Sequence, residues 1–291
     1  MASEGRVIRC HSNFFDVLVE GSVARAVVRG RLRLERKDIL AGDRVEISSG
    51  GVIERVLPRK NEMVRPPVAN VDKLLVVFTL ESPPFAPLVV DKLLVLGEAG
   101  SLECVLCLNK ADLYEPGVAD DALSPYRAAG YRTVLTSALT GLGIDELREG
   151  LGSGLAVLAG QSGVGKSSIL NALIPGVGRT VGSVSRKTHR GKHTTKGVEL
   201  LRVPGGGLIA DTPGFTRLEL ETLSPSEVSA GFPEIARIRR ECRFADCGHR
   251  AEPDCAVKAA VARGEIAESR YGSYLAMMEE AELHDRRRYG R

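Results

Sequence analysis

The run Gly160-Gln161-Ser162-Gly163-Val164-Gly165-Lys166-Ser167 restricts the architectures open to this chain more than any other stretch. It fits the pattern G-x-x-x-x-G-K-S. The apolar pentapeptide Leu155–Ala159 precedes it, and Ser168-Ile169-Leu170-Asn171-Ala172-Leu173 continues it as a helix. Strand, glycine-rich turn and helix in that order form a phosphate cradle. The glycines let successive N–H groups turn inward, and the helix N-terminus adds partial positive charge. Lys166 then reaches the outer phosphates and Ser167 offers its hydroxyl to Mg²⁺, with Ser168 counted in the phosphate-binding set. Lys73–Phe78, Cys104–Leu108 and Tyr131–Leu135 are further buried strands with helical segments between them. A mostly parallel α/β sheet is therefore expected.

The cradle alone does not choose a base. Asn109-Lys110-Ala111-Asp112 follows the Cys104–Leu108 strand, at the edge where such sheets bind ligands. It resembles the guanine-reading N-K-x-D motif. The Asp112 carboxylate can accept from guanine's N1–H and exocyclic amine together, a donor pair that adenine lacks. Asn109 would hold loops together and the Lys110 stem would lie along the base. Thr136-Ser137-Ala138 follows the next strand and resembles the second base-contacting loop, where the Ala138 N–H would meet guanine O6. Asp211-Thr212-Pro213-Gly214 follows another apolar strand and resembles D-x-x-G, with Asp211 toward Mg²⁺ and the Gly214 N–H toward the γ-phosphate. Between cradle and D-x-x-G, Thr195 is the candidate to close over Mg²⁺, with Thr194 as the alternative. Bound GTP or GDP with Mg²⁺ is the expected cofactor state.

Two flanking regions differ from this core. Residues from about Arg6 to Pro58 read as five or so short strands with glycine turns, which suggests a small barrel. An OB-type barrel is the best candidate, although a strand count leaves an SH3-like barrel open. From about Ser224 the chain reads as helical, interrupted by Cys242-x₄-Cys247-x-His249-x₅-Cys255. Three thiolates and an imidazole suit one structural, tetrahedral Zn²⁺. Cys104-x-x-Cys107 lies inside a buried strand, whose alternate faces point apart, and reads as core. Expected boundaries are 1–62 for the barrel, 63–222 for the nucleotide domain and 223–291 for the zinc-binding helical domain.

No apolar N-terminal run precedes a cleavage-like site, and no stretch reaches the roughly 18 apolar residues of a membrane span. A cytoplasmic monomer is expected. The formal net charge of +3 is too small to imply a polyanion partner by itself. Local clusters matter more: Arg25, Arg29, Arg31, Arg33, Arg36 and Lys37; Arg186, Lys187, Arg190, Lys192 and Lys196; Arg237, Arg239 and Arg240; and Arg286-Arg287-Arg288. Such groups neutralise phosphates, so RNA is a reasonable partner. Tyr271, Tyr274, Leu275 and Met278 fall at helical spacing and read as packing.

The order of the motifs is informative. The base loops precede the cradle, whereas an ordinary small GTPase has the cradle first. This circular permutation, the barrel and the Cys/His module together resemble the RsgA (YjeQ) family of ribosome small-subunit-dependent GTPases across nearly the whole chain. The resemblance implies a multidomain α/β protein that hydrolyses GTP, stimulated by the small ribosomal subunit, in late subunit maturation. The alternative is a GTP-gated RNA-binding tether with only incidental hydrolysis. Phe215 keeps it open, because it stands where many GTPases place a water-orienting Gln. His193 is the nearest polar candidate for that task, and an ordinary loop histidine is the equal alternative.

Overall fold

The computed structural model describes residues 2–28, 39–115, 117–176, 198–211 and 223–289. Its first five strands are β1 (Ser3–Cys10), β2 (Phe15–Val19), β3 (Ser22–Val28), β4 (Arg44–Ile47) and β5 (Val52–Val56). They close a barrel in the order 1-2-3-5-4-1. Only β3 and β5 pair in parallel; the other neighbours are antiparallel. This connectivity decides for the OB-type barrel over the SH3-like one. Period-two alternation sends Val7, Val17, Ala26, Val45 and Ile53 into its core. A short hairpin, β6 (Glu62–Met63) with β7 (Val68–Ala69), follows the barrel around Pro66 and Pro67. Val68 joins the neighbouring core, which is why this proline-rich segment is ordered.

The second sheet contains β8 (Lys73–Phe78), β9 (Glu103–Leu108), β10 (Arg132–Leu135), β11 (Leu155–Ala159), β12 (Glu199–Arg202) and β13 (Leu208–Asp211). Their order is 10-9-8-11-13-12. Five of these strands are parallel and β12 is antiparallel to β13. Leu74, Val76 and Phe78 face one side, beneath α1 (Pro87–Ala99) and α2 (Val118–Ala129). Leu75 and Val77 face the other, beneath α3 (Ile144–Leu151) and α4 (Lys166–Leu173). Cys104 belongs to the first side and Cys107 to the second, so this pair shares no ligand. Strand β12 has no strong signal of its own. It is a strand because β13 on one side and β1 on the other pair with it, joining both sheets.

The C-terminal module comprises α5 (Pro225–Ala230), α6 (Pro233–Ile238), α7 (Ala256–Ala262) and α8 (Glu268–Tyr289). Ser224 and Glu227 form a reciprocal capping box that starts α5. Tyr274 is buried edge-on against Phe232 at 5.6 Å, and Tyr271, Leu275 and Met278 pack in the same cluster. Val95 of α1 also enters that cluster, so the module is seated on the α/β body. Beside it lies a buried ionic trio. Arg270 meets Asp91 of α1 at 2.6 Å and Glu234 of α6 at 2.8 Å, each side chain at most 4% exposed. Burial raises the Asp91 carboxyl, and Arg270 opposes that rise. Among the described residues no helix is long and apolar enough to cross a membrane.

Removing one member of such a set leaves charge without a partner. Arg270→Ala is expected to destabilise the fold by about 3–5 kcal/mol at neutral pH. The deficit shrinks as pH falls and the Asp91 carboxyl, raised by burial, protonates. Urea unfolding at several pH values measures both.

Candidate functional site

The parallel strands end on one edge, and each carries a chemically distinctive loop there. The cradle follows β11, Asn109–Asp112 follows β9, Thr136–Ala138 follows β10, and Asp211 closes β13. Chain order reverses between β8 and β11, which opens the crevice typical of ligand sites in such sheets.

Asn109 joins three of these loops. Its side-chain amide donates to the Val164 carbonyl at 2.9 Å. Its Oδ1 accepts from the Ala138 N–H at 3.2 Å and from the Thr136 hydroxyl at 3.2 Å. Asn109 is only 2% exposed, so these bonds are shielded from water. Gly165 makes the approach possible: at φ 97° it adopts a left-handed conformation, and a Cβ there would lie 2.3 Å from the Asn109 amide nitrogen. Gly160 is equally constrained, since its Cβ would fall 2.1 Å from the Val77 carbonyl. The permuted motifs thus meet in one pocket.

Asp112 sits in a 3₁₀ turn, Ala111–Leu113, and its exposed carboxylate accepts from the buried Ser137 hydroxyl. That bond fixes one carboxylate oxygen. Lys110 starts this turn at φ 65°, and its ammonium donates to the Ser82 carbonyl. Ser82 belongs to the loop after β8, which carries no recognisable motif. Thr79 Oγ1 bonds the Pro83 carbonyl at 2.8 Å within that loop, and the Tyr114 hydroxyl accepts the Leu80 N–H at 2.9 Å. Its position at the C-terminal end of a buried strand was the available signal. Thr136 was named but not recognised as a partner of Asn109.

Lys166 begins α4, and its ammonium donates to the carbonyls of Gly160 at 2.7 Å and Gln161 at 2.8 Å. Ser167 is exposed at the mouth of the cradle, with Ser168 half-buried behind it. Asp211 is half-buried at the end of β13, directly opposite Glu199 of β12. A hydroxyl at the helix start and a carboxylate at the strand end, both hard oxygen donors, suit Mg²⁺. His193, Thr194, Thr195, Gly214 and Phe215 lie outside the described residues.

In the C-terminal module, the ligand atoms of Cys242, Cys247, His249 and Cys255 all lie within 4.8 Å of one another. Cys242 Sγ is 4.0 Å from Cys255 Sγ, and these two sulfurs are 3.6 and 3.5 Å from His249 Nδ1. Zn–S bonds of about 2.3 Å in a tetrahedron separate neighbouring ligands by about 3.8 Å, so the spacing fits zinc. It does not fit disulfides, and all of these cysteines are free. The surrounding turn is fastened by Glu252, which accepts the Gly248 N–H at 2.6 Å and the Arg250 N–H at 2.8 Å. The Tyr271 hydroxyl donates to the His249 carbonyl at 2.6 Å, tying the cluster to α8.

The comparisons with known proteins agree with this arrangement. The family model described as RsgA GTPase matches residues 56–221, and that of the RsgA N-terminal domain matches residues 4–52. A curated relative from Moorella thermoacetica, "Small ribosomal subunit biogenesis GTPase RsgA", is 46% identical over 287 residues, covering 97% of this chain and 99% of the relative. A relative of the same name from Thermotoga petrophila is 44% identical over 284 residues, covering 95% and 96%. The crystal structure of YjeQ from Thermotoga maritima has a TM-score of 0.83 at 40% identity, covering 97% of this chain and 99% of that one. The crystal structure of YloQ, described as a circularly permuted GTPase, has a TM-score of 0.82 at 34% identity, covering 97% and 96%. Fold, motif order and these likenesses define a GTP hydrolase with a circularly permuted P-loop domain. The chain belongs to the RsgA GTPase family.

Two outcomes follow from the geometry. Burial lowers the Lys166 ammonium to about 8, and phosphate oxygens would raise it again. Nucleotide binding should then take up a proton above about pH 8, and affinity should fall there by up to about tenfold per pH unit. Calorimetry in buffers of different ionisation heat measures both. For the Cys/His cluster, Cys247→Ser is expected to lose bound zinc and lower the melting temperature, and a chelator should do the same to the unaltered protein. Elemental analysis beside thermal unfolding checks this.

Proposed function

We propose that this protein binds the small ribosomal subunit through its rRNA, hydrolyses GTP faster on that surface during late maturation, and then leaves as the GDP form. The observation that carries the reading is the Asn109 clamp, which puts a guanine-type loop and a phosphate cradle into one pocket. The names of the close relatives support the choice of partner.

In this reading residues 63–222 hold the nucleotide. Asp112 accepts from the guanine N1–H and amine, the Ala138 N–H meets O6, and the Lys110 stem flanks the base. N–H groups of Gly160–Ser168 surround the phosphates, and Lys166 releases its two carbonyls to meet the outer ones. Ser167, Asp211 and Thr195 hold Mg²⁺, which when bound neutralises phosphate charge. The Gly214 N–H contacts the γ-phosphate. His193 orients the attacking water, because Phe215 cannot. Residues 223–291 carry one structural Zn²⁺ on Cys242, Cys247, His249 and Cys255, and residues 1–62 contribute an RNA-binding barrel. The protein acts as a cytoplasmic monomer.

Support for RNA contact comes from two surfaces. On the barrel, the Arg25 guanidinium lies 4.1 Å from the Phe14 ring centroid. On the zinc module, Arg239, Arg240 and Arg243 line a cleft of about 640 Å³ with Phe244, a residue 40% exposed. Guanidinium groups and an open aromatic face suit a nucleic-acid strand. Arg29–Lys37 and Arg186–Lys196 lie outside the described residues.

GTP turnover titrated with purified small subunits tests the proposal. Turnover should rise at least tenfold with subunits, Lys166→Ala should abolish it, and Asp112→Asn should erase the preference for guanine over adenine nucleotides. Unchanged turnover would favour a GTP-gated tether. His193→Ala that kept full stimulation would remove His193 from the mechanism.

A further inference from the structure

The two sheets meet along a line of charge. Arg25 on β3 lies directly opposite Asp16 on β2, and Asp16 lies opposite Arg9 on β1. Arg9 lies opposite Glu199 on β12, and Glu199 lies opposite Asp211 on β13. Directly opposed residues place their side chains on the same face, with Cβ atoms about 4.5–5.5 Å apart. Five adjacent strands therefore carry one row: Arg25, Asp16, Arg9, Glu199, Asp211. Charge alternates along it until the last step, where two carboxylates stand side by side. Like charges so placed repel. Arg9 Nη1 holds Glu199 Oε1 at 3.3 Å, on the side away from Asp211. Asp16 is itself held by His11 at 2.8 Å. The junction is fastened again where Arg202 Nη1 donates to the Gly21 carbonyl at 2.6 Å.

We infer that Arg9 and Glu199 are positioning residues for the divalent cation of the nucleotide site, so that a barrel residue sets how tightly that cation is held. The inference rests on the proposed role of Asp211. A cation beside Asp211 continues the alternation that the row otherwise breaks. Glu199 adds negative potential at that place, and Arg9 subtracts from it. The two members of one ion pair thus act on the cation in opposite directions.

The opposite signs make the test decisive. In the full-length, zinc-loaded protein, release of a fluorescent GDP analogue is followed while Mg²⁺ is titrated. Glu199→Gln should weaken the apparent Mg²⁺ affinity about threefold, and Arg9→Ala should tighten it about twofold, for charges acting through water at one and two strand spacings from Asp211. The double variant should return close to the unaltered protein. Both single-variant differences should shrink in 0.5 M salt, because the Debye length falls to about 4 Å. If both single variants weaken Mg²⁺ alike and the double variant does not recover, the pair is only a mechanical fastening and the inference is overturned. No change in either variant overturns it too. Asp211→Asn separates this from the underlying reading. If it leaves the Mg²⁺ dependence intact, the role of Asp211 itself is wrong; if it weakens Mg²⁺ while the pair has no effect, only the inference fails.

Discussion

The nucleotide pocket depends on one buried side chain, Asn109. Its amide is a two-ended connector whose donor reaches the Val164 carbonyl of the cradle and whose acceptor takes the Ala138 N–H and the Thr136 hydroxyl. Loops after three different strands are fixed in mutual position by these bonds. An Asp would lose the donor to Val164, and a Leu would remove the side-chain bonds to Val164 and Ala138, while Thr136 would keep Cys107 and Leu108 as partners. Because the connector is spatial, the pocket is indifferent to the order in which the chain visits the strands. That indifference lets a permuted chain build the same site as an unpermuted one.

Permutation does change what the site is attached to. The strand that ends in Asp211 is followed, after the undescribed residues 212–222, by the helical module. The strand beside it, β12, pairs with the barrel. The Asp211 side of the sheet is therefore joined to the barrel through β12, and the chain leads from it to the helical module. The base-reading side, β9 and β10, lies at the far edge of the sheet.

Much of this was legible in the sequence. Lys73–Phe78 and Leu155–Ala159 read as strands because unbroken apolar runs of that length suit a sheet covered on both faces. The cradle, the base loops and the Cys/His spacing are local patterns with local chemistry, so they could be named before their neighbours were known. What escaped notice were features created by pairing or proximity. Glu199–Arg202 is a strand through its neighbours alone, since four residues of mixed character carry no period. The β6–β7 hairpin hides among prolines. Arg270 sits 179 residues from Asp91, and nothing in a helix that reads Glu-Ser-Arg-Tyr marks its arginine for burial. The barrel class likewise waited for the β3–β5 pairing, a relation between strands and not a property of either.

The Arg270 trio constrains how such proteins can be taken apart or recombined. Asp91 belongs to the α/β body, while Glu234 and Arg270 belong to the module. No single cut near residue 222 divides these charges evenly. The N-terminal fragment would retain an acid designed for a dry, cationic neighbour, and the other would expose a guanidinium with half its counterions. The segments are consequently not free-standing cassettes. A chimaera assembled from two relatives must take all three side chains from one parent, or replace all three together.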